Sequence, residues 1–314
     1  MRARLGSVAR SPLVRGGFVV LVFAAGAVAV ARREEEIRAA LAQLAPATVA
    51  AAAVTGVVYM VVTMLAWRAV LHDMGTRISL GPATSLFFVS QLGKYLPGGV
   101  WNIAAVTEMG VDHDIPRRRS LSVMLVATLI SVSTGLGLAV AVLPLAPPEL
   151  ADRLAAFVWL LPVFVVVLLP AVLNRLLGLA LRLLRRPPLE HPVTGRGVVT
   201  AASWSVLAWL LVGTHVWLLA TGVGLDRTLG TLAVATGGYA LAWTIGFLVV
   251  FVPAGIGVRE AVLAAALANQ LDAGALVIVV LLSRALLTLV DLGLGAVGLV
   301  AQRRRSSGQR ATTR

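Results

Sequence analysis

Apolar side chains come in long uninterrupted blocks along this chain, and the arginines gather in the short segments between them. A hydrocarbon core about 30 Å thick takes roughly 20 helical residues to cross. Five blocks reach that length: Pro46 to Leu71, Leu121 to Leu143, Leu154 to Leu173, Val199 to Thr221 and Ala273 to Val300. A sixth, Gly17 to Ala31, is shorter and follows Arg2, Arg4, Arg10 and Arg15. The small residues Ala27, Ala29 and Ala31 would also suit a cleaved signal peptide. With a polytopic chain behind it, an uncleaved first helix is the expected solution, which makes six spanning helices.

Two more apolar stretches, Pro82 to Gly110 and Leu229 to Gln270, are interrupted in the middle. The first contains Gly93-Lys94-Tyr95-Leu96-Pro97-Gly98-Gly99 and the second Pro253-Ala254-Gly255-Ile256-Gly257. Proline lacks an amide hydrogen and glycine tolerates backbone angles that end a helix. Backbone freed in this way is stable at membrane depth only inside protein or beside a watery cavity. Each stretch therefore predicts a re-entrant helical hairpin, and the fold expected is an all-α integral membrane domain.

Composition agrees with that reading: 59% of the 314 residues are apolar and 13% charged, and the mean hydropathy is +0.91. The absence of cysteine excludes disulfides, thiolate metal sites and cysteine nucleophiles. His72, His113, His191 and His215 show no metal-ligand spacing, so no metal or other cofactor is expected. The net charge of +13 does not point to nucleic acid, because nearly all the arginines flank apolar blocks. With both breaks re-entrant and both termini cytoplasmic, 18 arginines fall inside and five (Arg32, Arg33, Arg38, Arg153 and Arg227) outside. This satisfies the positive-inside rule, and a single full crossing at either break would invert everything after it.

The same topology contains an inverted repeat, about 46–143 and 199–300. The flanking helices begin 153 residues apart (46 to 199) and 152 apart (121 to 273), and Leu96-Pro97-Gly98-Gly99-Val100 aligns with Val252-Pro253-Ala254-Gly255-Ile256. One hairpin then enters from each leaflet, an arrangement in which broken helices meet near the midplane at a substrate site. Residues 1–15 are expected to form a cytoplasmic arm, 16–302 the membrane domain, and 303–314 a basic, disordered cytoplasmic tail.

Three ordered motifs carry a family likeness. Gly93 to Trp101, Gly255-Ile256-Gly257-Val258-Arg259-Glu260, and Ser283-Arg284-Ala285-Leu286-Leu287-Thr288 together resemble the membrane domain of lysylphosphatidylglycerol synthases. The likeness implies a flippase-like protein moving a polar lipid, aminoacylated or otherwise bearing an anionic phosphate, between leaflets of the bacterial plasma membrane. The likeness covers the membrane domain and not the family's soluble acyltransferase region, so synthase activity is not expected. Ala254 stands where a glycine is expected.

Charges at membrane depth are costly, by about 2.5–3.5 kcal/mol each at a helix centre on insertion scales, and need partners or a function. Lys94, the only lysine, lies one turn before Pro97 and could meet a lipid phosphate. Glu260 at the start of a helix favours the dipole, while Arg259 beside it does not. Arg284 and Asp291, seven apart in the last helix, share a face without touching. Arg284 can take a phosphate or neutralise Glu260 or Glu108. The expected cavity is lined by Lys94, Tyr95, Pro97, Gly98, Gly99, Glu108, Pro253, Gly255, Gly257, Arg259, Glu260 and Arg284. Bland roles are expected for the rest: His215 as a satisfied buried imidazole, Trp101 as an interface anchor, Asn102 as a cap, and Gly135, Gly137, Gly293, Gly295 and Gly298 as packing contacts.

Two functions are compatible with these residues. One is an inverted-repeat transporter for a phospholipid or lipid-linked substrate, working as a homo-oligomer or beside a separate lipid-modifying enzyme. The other is a membrane enzyme or accessory subunit acting on such lipids. The lack of a visible acid and base pair or metal cluster favours transport over catalysis.

Overall fold

The computed structural model describes residues 34–96, 101–183, 185, 191–249 and 253–312, and among these the fold is all helix. Helix α1 is Glu34–Gln43, α2 Pro46–Asp73, α3 Leu80–Gln91, α4 Trp101–Val111 and α5 Arg117–Ala141. Short helices α6 (Pro148–Leu154), α7 (Leu161–Val167) and α8 (Pro170–Leu183) follow, then α9 (Gly195–Thr221), α10 (Leu229–Leu248), α11 (Val258–Leu267) and α12 (Ala273–Thr312). Capping fixes several starts: Thr194 Oγ1 accepts from Gly197 N at 3.1 Å, and Asp272 Oδ1 from Ala275 N at 2.8 Å. The expected first helix, Gly17 to Ala31, lies outside the described residues.

Among the described residues six segments are long and apolar enough to cross a membrane: Pro46–Asp73, Arg117–Leu145, Pro148–Val167, Gly195–Thr221, Leu229–Leu248 and Ala273–Gln302. Four coincide with sequence expectations. The block expected over Leu154 to Leu173 instead spans Pro148–Val167. Pro170 starts a new helix after the turn at Leu168 and Leu169, and Ala155–Leu160 is wound as a 3-10 helix before Pro162. The other departure is α10, long enough to cross although it is the first arm of an expected re-entrant hairpin. By contrast α3 and α4, of 12 and 11 residues, reach only about 18 and 16 Å at 1.5 Å per residue.

The helices on either side of each break pack against each other, α3 with α4 and α10 with α11. The partners are then exchanged across the molecule: α3 lies on α12 and α10 lies on α5, while α2 and α9 form the most extensive helix pair. At one end of the bundle Asp73 accepts from Thr194 N at 2.7 Å and Thr194 Oγ1 at 2.6 Å, and Arg119 donates to Thr76 at 2.6 Å. The other end brings Leu44 to Gly222, Leu145 to Gly230, and Glu36 to Gly274. Thr76 and Arg119, on either side of the first broken stretch, thus lie at the Asp73 end, and Gly230 and Gly274, on either side of the second, at the other.

Packing between helices uses small residues as expected. A Cβ at Gly135 would press into Trp209, at Gly137 it would meet Phe164, at Gly295 Leu92, and at Gly298 Val89; Gly293 faces open space and has no such reason. His215 is fully buried with both ring nitrogens engaged, Nδ1 2.7 Å from Ala52 O and Nε2 3.0 Å from Ser283 Oγ. Helix α8 turns Leu173, Leu177 and Leu181 inward, an amphipathic pattern. The tail differs from expectation: α12 continues as helix to Thr312, where disorder was expected after Gln302. Once a long helix is nucleated, each added residue gains a hydrogen bond at little further entropic cost.

Candidate functional site

The two breaks meet. The 3-10 turn Leu92–Tyr95 touches the turn Pro253–Gly255, and both abut α12 between Arg284 and Asp291, near the centre of its apolar stretch Ala273–Gln302. A pocket opens there, enclosing about 600 Å³ of empty space, mouth included. Its walls include Lys94, Tyr95, Arg259, Glu260, Arg284 and Asp291, with Tyr59, Tyr239 and Trp243 completing them. All three tyrosines of the chain line this one space.

Its charges form two ties to α12. Lys94 Nζ lies 2.7 Å from Asp291 Oδ2, and the Tyr95 hydroxyl donates to the same oxygen at 2.6 Å. Asp291 is 5% exposed, so the ammonium and hydroxyl replace the water it has lost. Its Oδ1 is buried without a partner among the described residues. One face further along, Arg284 Nε lies 3.3 Å from Glu260 Oε1, and Arg284 Nη2 donates to Ala254 O at 3.2 Å. Glu260 Oε2 accepts from Gly257 N at 2.6 Å, which closes the first turn of α11.

The second tip is built from left-handed backbone: Ala254 has φ 49°, Gly255 φ 68° and Gly257 φ 83°. Glycine takes such angles freely, whereas a left-handed Ala254 costs about 1–2 kcal/mol. The charge-assisted bond from Arg284 to the Ala254 carbonyl helps to hold that conformation.

Arg259 is the remaining cation. Its guanidinium lies 5.5 Å over the Trp243 ring, and Trp243 stacks on Phe247 at 5.4 Å with planes 2° apart. The side chain runs across two glycines: a Cβ at Gly246 would overlap it, and one at Gly255 would sit 3.0 Å from its Nε. That Nε is buried with no hydrogen-bond partner, and among the described residues no carboxylate pairs with Arg259. The pocket thus holds three cations and two carboxylates, with the excess positive charge on Arg259.

The expected site residues divide accordingly. Lys94, Tyr95, Arg259, Glu260 and Arg284 come together around the pocket. Gly255 and Gly257 shape the second tip beside it, and Pro253 opens the same turn. Pro97, Gly98 and Gly99 lie outside the described residues. Glu108 does not belong: it sits at the Asp73 end of the bundle, 63% exposed, with Arg117 Nη2 2.7 Å away. The residues after Gly110 turn back there into α5, which presents Arg117 to Glu108. The bidentate Arg117 contact holds the Glu108 carboxyl below the usual carboxylate range. Trp101, the first residue of α4, is half exposed and lies against Gly93 of the first break rather than at a bundle end, where an interface anchor was expected.

Asp291, Tyr59, Tyr239 and Trp243 were absent from the expected set. Asp291 had a legible signal, an acid two turns from Arg284 inside an apolar helix. For the tyrosines it was their rarity, each falling in or beside the middle of an apolar stretch.

No curated protein matches this chain significantly. A family match does exist: residues 17–295 fit the family described as Lysylphosphatidylglycerol synthase TM region. The matched span contains both breaks, both ties to α12 and Arg259. The chain is a multi-pass membrane protein and belongs to the Lysylphosphatidylglycerol synthase TM region family.

Proposed function

We propose that this protein translocates a polar lipid between leaflets, using the pocket between the two helix breaks as a passage for a headgroup phosphate. Arg259 is the observation that carries this reading. A guanidinium retained at mid-bundle without a carboxylate partner needs an anion, and phosphate is the anion every phospholipid brings. Lys94 is less suited to that task, because Asp291 already neutralises it. The return of each broken stretch to its own end of the bundle supports re-entrant hairpins, and the exchanged packing of α3 on α12 and α10 on α5 supports an inverted repeat. The arginine bias supports cytoplasmic termini in a bacterial plasma membrane.

Transport is preferred to lipid chemistry because the pocket's two carboxylates are engaged by its own cations and backbone, leaving no poised base. The test is a leaflet-resolved assay in reconstituted vesicles, following fluorescent phospholipids with an impermeant quencher. Protein-dependent exchange that falls with Arg259→Gln supports the proposal. Wild-type vesicles indistinguishable from protein-free ones, for every headgroup tried, would reject it.

A further inference from the structure

The pocket's charge arrangement also bears on which headgroup it accepts, an inference that rests on the translocation reading above. Fourteen acidic residues occur in the chain, and among the described residues Glu260 and Asp291 are the two that line the pocket. Both pocket carboxylates are committed: Glu260 to Arg284 and to Gly257 N, Asp291 to Lys94 and to the Tyr95 hydroxyl. The uncommitted Asp291 Oδ1 is buried behind these partners. A headgroup ammonium therefore meets two carboxylates that are already engaged, and it also meets the positive charge of Arg259.

Neutral hydroxyls fare differently. Tyr59 and Tyr239 line the same space, and a polyol can exchange hydrogen bonds with phenol groups without changing the charge. A phosphodiester brings one negative charge, which balances the single excess cation. An aminoacylated headgroup adds ammonium groups and leaves the pocket more positive than when empty. We propose that the pocket selects an anionic phospholipid whose phosphate carries a neutral polyol, and discriminates against headgroups bearing an ammonium, aminoacylated ones included.

The experiment has two readouts on the full-length protein. Native mass spectrometry in detergent titrates phosphatidylglycerol, lysylphosphatidylglycerol and phosphatidylethanolamine against one another, and the vesicle assay follows the same three lipids. Phosphatidylglycerol is expected to bind and move about tenfold better than either amine-bearing lipid, with Arg259→Gln narrowing the gap. Arg259→Lys, which keeps the charge, should keep most of the preference, and Gly293→Ala, in open space on α12, serves as the folding control. Equal or better binding of lysylphosphatidylglycerol would overturn the selectivity even if transport is present. Selective binding without exchange would uphold the selectivity and reject the translocation reading, so the two fail separately.

Discussion

Lys94 and Asp291 are 197 positions apart in the chain and 2.7 Å apart in space, and this contact fastens the first helix break to the last helix. Removing one partner of such a pair strands the other, at a cost of about 3–5 kcal/mol for a buried charge. Lys94→Ala and Asp291→Asn should each lower the melting temperature in detergent, and the double variant should recover part of the loss. Strictly additive losses would mean that the contact carries no coupling energy.

Arg259 should govern transport more than stability. Arg259→Gln is expected to slow lipid exchange about 10- to 100-fold, the range for losing one charge-assisted contact. Arg259→Lys should restore only part of the rate, because an ammonium lacks the planar fork and stacks less well on Trp243. Full activity in Arg259→Gln would move the phosphate contact to Lys94.

Gly246 offers a way to displace Arg259 without touching its charge. Gly246→Ala places a methyl where the Arg259 stem now runs, so the side chain must leave Trp243 or α10 must shift away from α11. The expected result is a loss of exchange similar to that of Arg259→Gln, with a stability penalty of about 1–3 kcal/mol for overpacking. Gly293→Ala, in open space on α12, is the matched control and should behave as wild type.

At the second tip, Ala254→Gly should stabilise the fold. It removes the strain of φ 49°, worth about 1 kcal/mol, less the backbone freedom that glycine adds to the unfolded chain. Thermal unfolding in detergent reads the sign, and a lower midpoint would mean that the Arg284 bond already removes the strain.

Topology can be read with single cysteines, since the chain has none. Thiols introduced as Ser79→Cys and Val111→Cys should react with an impermeant reagent from one side, and Arg227→Cys and Asn269→Cys from the other. Labelling of Ser79→Cys and Val111→Cys from opposite sides would make the first break a crossing.

Much of this architecture was legible because lipid imposes it on local sequence. Block length selected spans such as Pro46–Asp73, and Pro and Gly strings marked both breaks. Lys94, Arg259, Glu260 and Arg284 could be picked out because a charge inside an apolar block is conspicuous. What could not be read was pairing. Glu108 and Asp291 are both acids near apolar segments, but only the fold shows Glu108 turned to Arg117 at the bundle end and Asp291 to Lys94 at its middle. The role of Gly246 was equally hidden, since its need arises from an arginine 13 positions later.

Helix α12 carries Arg284 and Asp291 about 10 Å apart along its axis at 1.5 Å per residue, each tied to a different hairpin tip. Parting Lys94 from Asp291 would release the first tip while Arg284 still grips the second, and parting Arg284 from Glu260 and Ala254 would do the reverse. The helix is thus a shared mast with two separate moorings. Either tip can loosen while the other stays fast, which on the translocation reading proposed above would admit a headgroup from one side without opening a continuous path to the other.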